Sequence, residues 1–265
     1  MSYNIFPSNI RGGTWNVIRN TKTNVLIQTA PNGYETRIVQ TANPIRTWTL
    51  VYEYLYGSFV SPNNLKPYAP YTDQEYLQAF WLQHYGQGDD FLFKDPTWNS
   101  IGPALAGGAP NPQAQLQLWN DGEGNYYSPL QYNWGGLFYE DITDLNPPLT
   151  YPYTGAGAIS VYANGVPLRV GPNDGSHDCG IYGPGLALIG NSCAGLYIQF
   201  YTPSPPTAPT PPITATCSYL WRVRFDPENE DWEEFMAGLF TIGGSNSTNS
   251  GNLILVTSRP GYYGP

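Results

Sequence analysis

Residues 72–96, TDQEYLQAFWLQHYGQGDDFLFKDP, decide the fold class. Thr72 followed three residues on by Glu75 has the spacing of a capping box, in which each side chain binds the other residue's main-chain amide. Leu77, Phe80, Trp81 and Tyr85 recur at i, i+3, i+4 and i+8, which predicts one apolar helix face stopping at Gly86. Asp89 and Asp90 then turn the chain into the aromatic strand Phe91-Leu92-Phe93, ended by Asp95-Pro96. This is the one convincing helix in the chain, and it runs straight into a strand.

Away from this stretch the pattern is strand and turn. The 265 residues hold 29 glycines and 26 prolines, too many for long helices, while aromatics at 15% are too many for a disordered chain. Asn24–Thr29 and Arg46–Tyr52 alternate as strands, with Pro31-Asn32-Gly33 as a turn after the first. Residues 56–71 read as a loop leading to the helix. Ile159–Ala163 and Val166–Val170 flank Asn164-Gly165, the strongest two-residue hairpin signal. Gly185–Ile189 and Ala194–Phe200 bracket Gly190-Asn191-Ser192 as a second strand pair, and Gln113–Leu118 alternates as a further strand. Tyr219–Phe225 reads as a strand, followed by an acidic patch from Asp226 that opens a short helix at Asp231–Met236. A flexible stretch at 243–251 precedes a last strand, Leu253–Val256.

Two breaks divide the chain. Residues 101–112 mix glycine, proline and small residues without an apolar period, and residues 203–212 carry six prolines in ten positions. The expected fold is therefore mostly β with one α-helix, in two domains. One comprises residues 1–112 with 213–265, and the other is an antiparallel β domain of residues 113–212, which includes the proline-rich excursion 203–212.

Composition excludes several functions. The net charge is −9 and Lys22, Lys66 and Lys94 are the sole lysines, so stable nucleic-acid binding is not expected. No apolar run reaches the roughly 20 residues that span a bilayer, and no signal peptide is recognisable, so the chain reads as soluble and made in the cytoplasm. No phosphate loop, zinc-protease motif or justified Ser-His-Asp arrangement is present, so a histidine mechanism through His84 or His177 lacks support, and no cofactor is expected. A metal-assisted hydrolase using Asp89, Asp90 and His177 has the residue types without the spacing. His177, Cys179, Cys193 and Cys217 are the one set with soft-metal chemistry, and their spacing fits buried thiols better than zinc. The acidic residues from Asp226 to Glu234 lack a calcium-loop register and read as a solvated face. The sequon Asn246-Ser247-Thr248 reads as chance. Tyr126, Tyr127, Tyr132, Trp134, Phe138 and Tyr139 lie among glycine and asparagine, a composition shared by sugar-stacking surfaces and protein interfaces.

Several ordered segments together resemble one family, the distal tail proteins of long-tailed bacteriophages, in the branch that includes gene transfer agents. They are Phe6-Pro7, Gly33–Arg37, Arg46–Tyr52, the helix with Phe91–Pro96, Val161–Gly165, Val223–Asp226 and the closing 253–259. Thr257 stands where the family pattern has a carboxylate, and residues 126–153 and 203–212 look like additions. The resemblance implies a barrel or sandwich belt domain from the N-terminal part and the C-terminal return, with the middle region projecting outward. It implies a homohexameric ring in the virion at the distal end of the tail, contacting the tail tube protein and the baseplate hub protein, with tail fibre or host surface as further partners. DNA would pass through, and no catalysis is implied. Under this reading Phe80 and Trp81 pack the helix, Phe91 and Phe93 anchor the strand, and Glu35 with Arg37 form an ion pair. Trp48, Asp95, Arg224 and Phe225 lie in the matching segments. The competing expectation is a carbohydrate- or host-receptor-binding module with Tyr127, Tyr132, Trp134 and Phe138 as its stacking surface.

Overall fold

The computed structural model describes residues 4–7, 10, 13–22, 25–39, 45–52, 54–57, 72–101, 114–116, 118–120, 122–134, 138–146, 148, 159–183, 187–188, 191–192, 196–201, 208–226, 232–236, 239–242 and 252–258. The described chain opens with β1 (Gly13–Lys22), β2 (Val25–Thr29), β3 (Glu35–Val39), β4 (Ile45–Tyr52), β5 (Leu55–Tyr56), α1 (Asp73–Gln83) and β6 (Phe91–Phe93). Short strands follow: β7 (Ser100–Ile101), β8 (Ala114–Leu116), β9 (Trp119–Asn120), β10 (Tyr126–Pro129), β11 (Gln131–Trp134), β12 (Phe138–Asp141) and β13 (Asp144–Leu145). Next come β14 (Ile159–Ala163), β15 (Val166–Leu168), β16 (Cys179–Tyr182), β17 (Ala187–Leu188), β18 (Asn191–Ser192) and β19 (Tyr197–Phe200). The last are β20 (Ile213–Phe225), β21 (Trp232–Met236), β22 (Leu239–Ile242) and β23 (Asn252–Thr257). The chain is mostly β with one α-helix among the described residues.

It forms two compact units, Ile5–Phe91 with Val223–Ser258, and Met1–Asn4 with Leu92–Arg222 and Arg259–Pro265. The composition breaks at 101–112 and 203–212 thus lie inside the second unit, and the chain passes between units at 4/5, 91/92, 222/223 and 258/259, the middle two within strands.

In the first unit, antiparallel β1, β4, β23 and the end of β20 lie side by side. Alternate residues of β4 are buried, and the register sets Trp48 opposite Leu255 and Leu50 opposite Leu253, with Phe225 opposite Leu255 on the far side. One face of the sheet is thereby apolar. Thr257 accepts the Arg46 main-chain amide through Oγ1 at 3.1 Å. The expected barrel form is not found: every sheet among the described residues is open, because closure needs the outermost strands to pair, and β1 pairs with β4 alone.

The helix packs inside the same unit. Thr72 Oγ1 accepts the Glu75 amide, and Glu75 accepts the Thr72 amide at 2.8 Å, completing the capping box. Leu77 and Phe80 are buried, and Phe80 meets Phe91 and Phe225 edge-on at 5.1 and 6.2 Å between ring centroids. Phe6 stacks on Phe91 at 5.9 Å. Tyr85 departs from the predicted face: it lies past the end of the helix at φ 52° and is 84% exposed. The inward position one turn after Phe80 belongs to His84, whose Nδ1 hydrogen-bonds the Phe80 carbonyl at 2.7 Å. Gly86 follows at φ +61°, and a Cβ there would lie 2.5 Å from Cζ2 of half-buried Trp81, so both backbone and space require glycine.

Residues 232–236, expected as a helix, form β21. It pairs along one edge with β22, which pairs in turn with β5, so main-chain hydrogen bonds to a formed sheet and the β-favouring Trp232 and Phe235 outweigh the acidic helix-start signal.

In the second unit β20 is the organiser. Its residues 213–217 pair with β14, and it also takes β8, β7 and β13. The β14–β15 hairpin turns at Asn164 (φ 48°) and Gly165 (φ 78°), the left-handed pair its sequence predicts. A separate antiparallel sheet runs β16–β19–β10–β9. Here the expected pairing of Gly185–Ile189 with Ala194–Phe200 is corrected. β17 pairs with β18 inside the supposed loop, and β19 pairs with β16 and β10, whose longer edges offer more main-chain partners.

Phe91 sits at the centre of the ring cluster, so Phe91→Ala is expected to cost about 3–5 kcal/mol in urea denaturation. Tyr85→Ala, at an exposed ring, should change stability by less than about 0.5 kcal/mol.

Candidate functional site

The β2–β3 hairpin is the most unusual surface in the described chain. Ala30-Pro31-Asn32-Gly33 makes its turn, with the Gly33 amide donating to the Ala30 carbonyl at 2.9 Å and Gly33 at φ +85°. The register pairs Val25 with Val39, Leu26 with Ile38, Ile27 with Arg37 and Thr29 with Glu35. Val25 and Ile27 therefore face one way and Leu26 and Ile38 the other. Every residue of β2 is exposed, including Leu26 at 40% and Ile27 at 55%, as is Ile38 at 47%. Apolar side chains thus face water on both sides of a two-stranded ribbon, and both outer edges keep unpaired main-chain groups among the described residues. Such a hairpin is marginal alone. Ile18 on β1 and Ile45 on β4 are exposed as well.

The residues singled out for assembly divide sharply by burial. Glu35 and Arg37 lie near the tip, two positions apart on one face, with Arg37 Nη2 at 2.9 Å from Glu35 Oε2 and both side chains largely exposed. Trp48, Phe80, Phe91, Phe93 and Phe225 are interior. Asp95 is buried too: its Oδ1 accepts the amides of Thr97 and Trp98 at 2.7 and 3.1 Å, fixing the turn after β6. Arg224 Nη1 donates to the Phe225 carbonyl at 3.1 Å. These groups hold the fold, whereas the ribbon offers surface. Sequence alternation marks β2 as a strand, and its exposure on both faces is a finding of the structure.

Of the residues expected to form an aromatic surface at 126–139, Tyr127 lies in the interior. Tyr127 is buried on the four-stranded sheet, its ring edge-on to Tyr197 at 5.9 Å. Tyr132, Trp134 and Phe138 lie on β11 and β12, where Trp134 pairs with Phe138 and Tyr132 with Glu140, and the description covers their backbone alone. Trp119 and Tyr182, which composition did not single out, pack beside Tyr127 and Tyr197. Cross-strand spacing, read once pairing is known, brings them there.

The sets with chemistry are dispersed. Cys179 is buried on β16 and Cys217 on β20, both as free thiols, and burial pushes each thiol up to about 12. Cys193, residues 227–231 and the sequon lie outside the described residues, and among those described no three His, Cys, Asp or Glu side chains are placed to hold a metal ion. Asp89 and Asp90 belong to one unit and His177 to the other. His177 does meet a serine and an aspartate: Ser176 Oγ is 3.0 Å and Asp174 Oδ1 2.9 Å from its Nδ1. Both approach the same ring nitrogen, whereas a relay needs them on opposite nitrogens, so the trio staples a turn. Ser176 and His177 hydrogen bonds hold the Asp174 carboxyl below its ordinary range, and the Arg169 guanidinium at 2.9 Å does the same for Asp178.

No helix among the described residues is long and apolar enough to cross a membrane. No protein-family model and no curated protein matches the chain.

The thiols of Cys179 and Cys217 should resist alkylation in the native protein at mildly alkaline pH and react fully in denaturant, as read by peptide mapping. The carboxylates of Asp174 and Asp178 are depressed, so their contribution to the 169–178 loop is complete above the ordinary value of about 3.9 and is lost as pH falls through their lowered values. The amide resonance of Arg169, which donates to Asp178, should therefore move as the pH falls below about 4 in an NMR titration.

Proposed function

We propose that this protein is a structural component of a virion, forming the distal tail ring that joins a bacteriophage tail tube to the baseplate hub. The observation that carries the reading is the β2–β3 ribbon, whose apolar side chains are exposed on both faces. A ribbon of this kind is stabilised when neighbouring copies cover it, and a ring supplies a neighbour on each side. The segments that resemble the distal tail family support it further. Phe6-Pro7, Gly33–Arg37, Arg46–Tyr52, the helix with Phe91, Val223–Asp226 and the strand β23 fall in the compact unit that carries the ribbon, while Leu92–Pro96 and Val161–Gly165 fall in the other. The net charge of −9 with three lysines suits a channel through which DNA slides without sticking. Six copies close the ring, the tube and hub bind its two rims, and the ring performs no chemistry.

Light scattering on the purified full chain, with negative-stain imaging, tests this. The wild type is expected as a closed ring of six. Leu26→Asp and Ile27→Asp, on opposite ribbon faces, should each give monomers with unchanged circular dichroism. A monomer at every concentration, or variants that assemble like the wild type, would overturn the reading.

A further inference from the structure

The helix that packs its Phe80 side inward presents a second apolar surface outward. Glu75, Ala79, Leu82 and Gln83 are the exposed residues of α1, and Tyr85 continues that side past the helix end, its amide donating to the Leu82 carbonyl at 3.0 Å. Leu82 is 58% exposed, and Tyr85 is the most exposed large hydrophobic side chain among the described residues. Tyr85 also sits at φ 52° and ψ 39°, the left-handed region that glycine or asparagine occupies at least cost. A large ring held in water on a strained backbone gains little for its own copy, and strain of this kind concentrates at binding sites. Charge sets this surface apart from the ribbon. Residues 73–91 hold Asp73, Glu75, Asp89 and Asp90 and no lysine or arginine. Residues 13–39, from β1 to β3, hold Arg19, Lys22 and Arg37 against Glu35 alone, a basic region in a chain of net charge −9. Arg37 shares a ribbon face with Val25 and Ile27. Its Nε and Nη2 bind one oxygen of Glu35, which leaves Nη1 for a further acceptor.

We propose that the ribbon face of Val25, Ile27 and Arg37 in one copy docks on Leu82 and Tyr85 of a second copy of this chain, with the Arg37 guanidinium against Asp89. The inference rests on the ring reading and specifies its contact. A ring needs a head-to-tail contact between two different patches, because a self-complementary patch closes a dimer instead. The ribbon supplies one patch. Ribbon and helix end belong to the same compact unit, yet both stay exposed in a single copy, so neither covers the other. An apolar centre with opposite charge beside it makes the helix end the ribbon's match, and the charges fix which way the two surfaces meet. Tyrosine is among the residue types that most often anchor such contacts.

Size-exclusion chromatography with light scattering on the full chain, over a range of concentrations, provides the test. Tyr85→Asn suits the left-handed backbone, so it is expected to keep or raise the thermal midpoint while raising the concentration needed for assembly by about tenfold or more. Arg37→Glu should also weaken assembly, and Arg37→Glu with Asp89→Arg in one chain should recover most of the loss. Mixing Ile27→Asp with Tyr85→Asp, each intact on one of the two surfaces, should give one-to-one heterodimers and no rings. Rings that form as readily in Tyr85→Asn as in the wild type, or a mixture that stays monomeric, would overturn the inference and leave the ring reading standing. A wild type that is monomeric at every concentration would overturn both.

Discussion

Ile213–Phe225 presents thirteen consecutive residues of main chain, and the hydrogen-bonding demand of that strand organises the fold. Each buried amide and carbonyl must find a partner, and β20 finds them in β14, β13, β7 and β8 in one unit and in β23 in the other. Several of these partners are two or three residues long and could not persist as free strands. They exist because β20 offers an edge already straight and half-buried. Its alternating side chains do the same on the packing side: Ile213, Ala215, Cys217 and Tyr219 are buried in one unit, and Val223 and Phe225 in the other.

The ribbon answers to the opposite constraint. Interior aromatic residues such as Phe91 and Phe225 pack against one another, whereas the apolar side chains of the ribbon are exposed. Under the ring reading proposed above, stability within the chain and association between chains would therefore fall to different residues.

How much could be read beforehand depended on the range of the interaction responsible. The capping box at Thr72 and Glu75, the turn at Asn164-Gly165 and the strand Phe91–Phe93 are set by neighbours in sequence, and they were legible. Tyr85 was misplaced by a single helical step, because a period of 3.6 extended past the helix end cannot see His84 turning inward to bond Phe80. β21 read as a helix because acidic residues favour a helix start, and its pairing with β22 and β5 is invisible until those strands are in place. That Tyr127 packs with Tyr197, Trp119 and Tyr182 was not legible, because it depends on the pairing of β10 with β9 and with β19, strands that meet only once the sheet is formed.

The chain leaves the first unit after Phe91 and returns at Val223, and the rings of Phe91 and Phe225 lie 4.7 Å apart. Departure and return are thus pinned side by side by the same contact that fills the core. Closure of the excursion is set by that contact and depends only weakly on how many residues lie between. Residues 92–222 therefore behave as a cassette. Changes in the length of its surface loops are therefore expected to leave the helix and the ribbon in place, provided the strand β20 is kept.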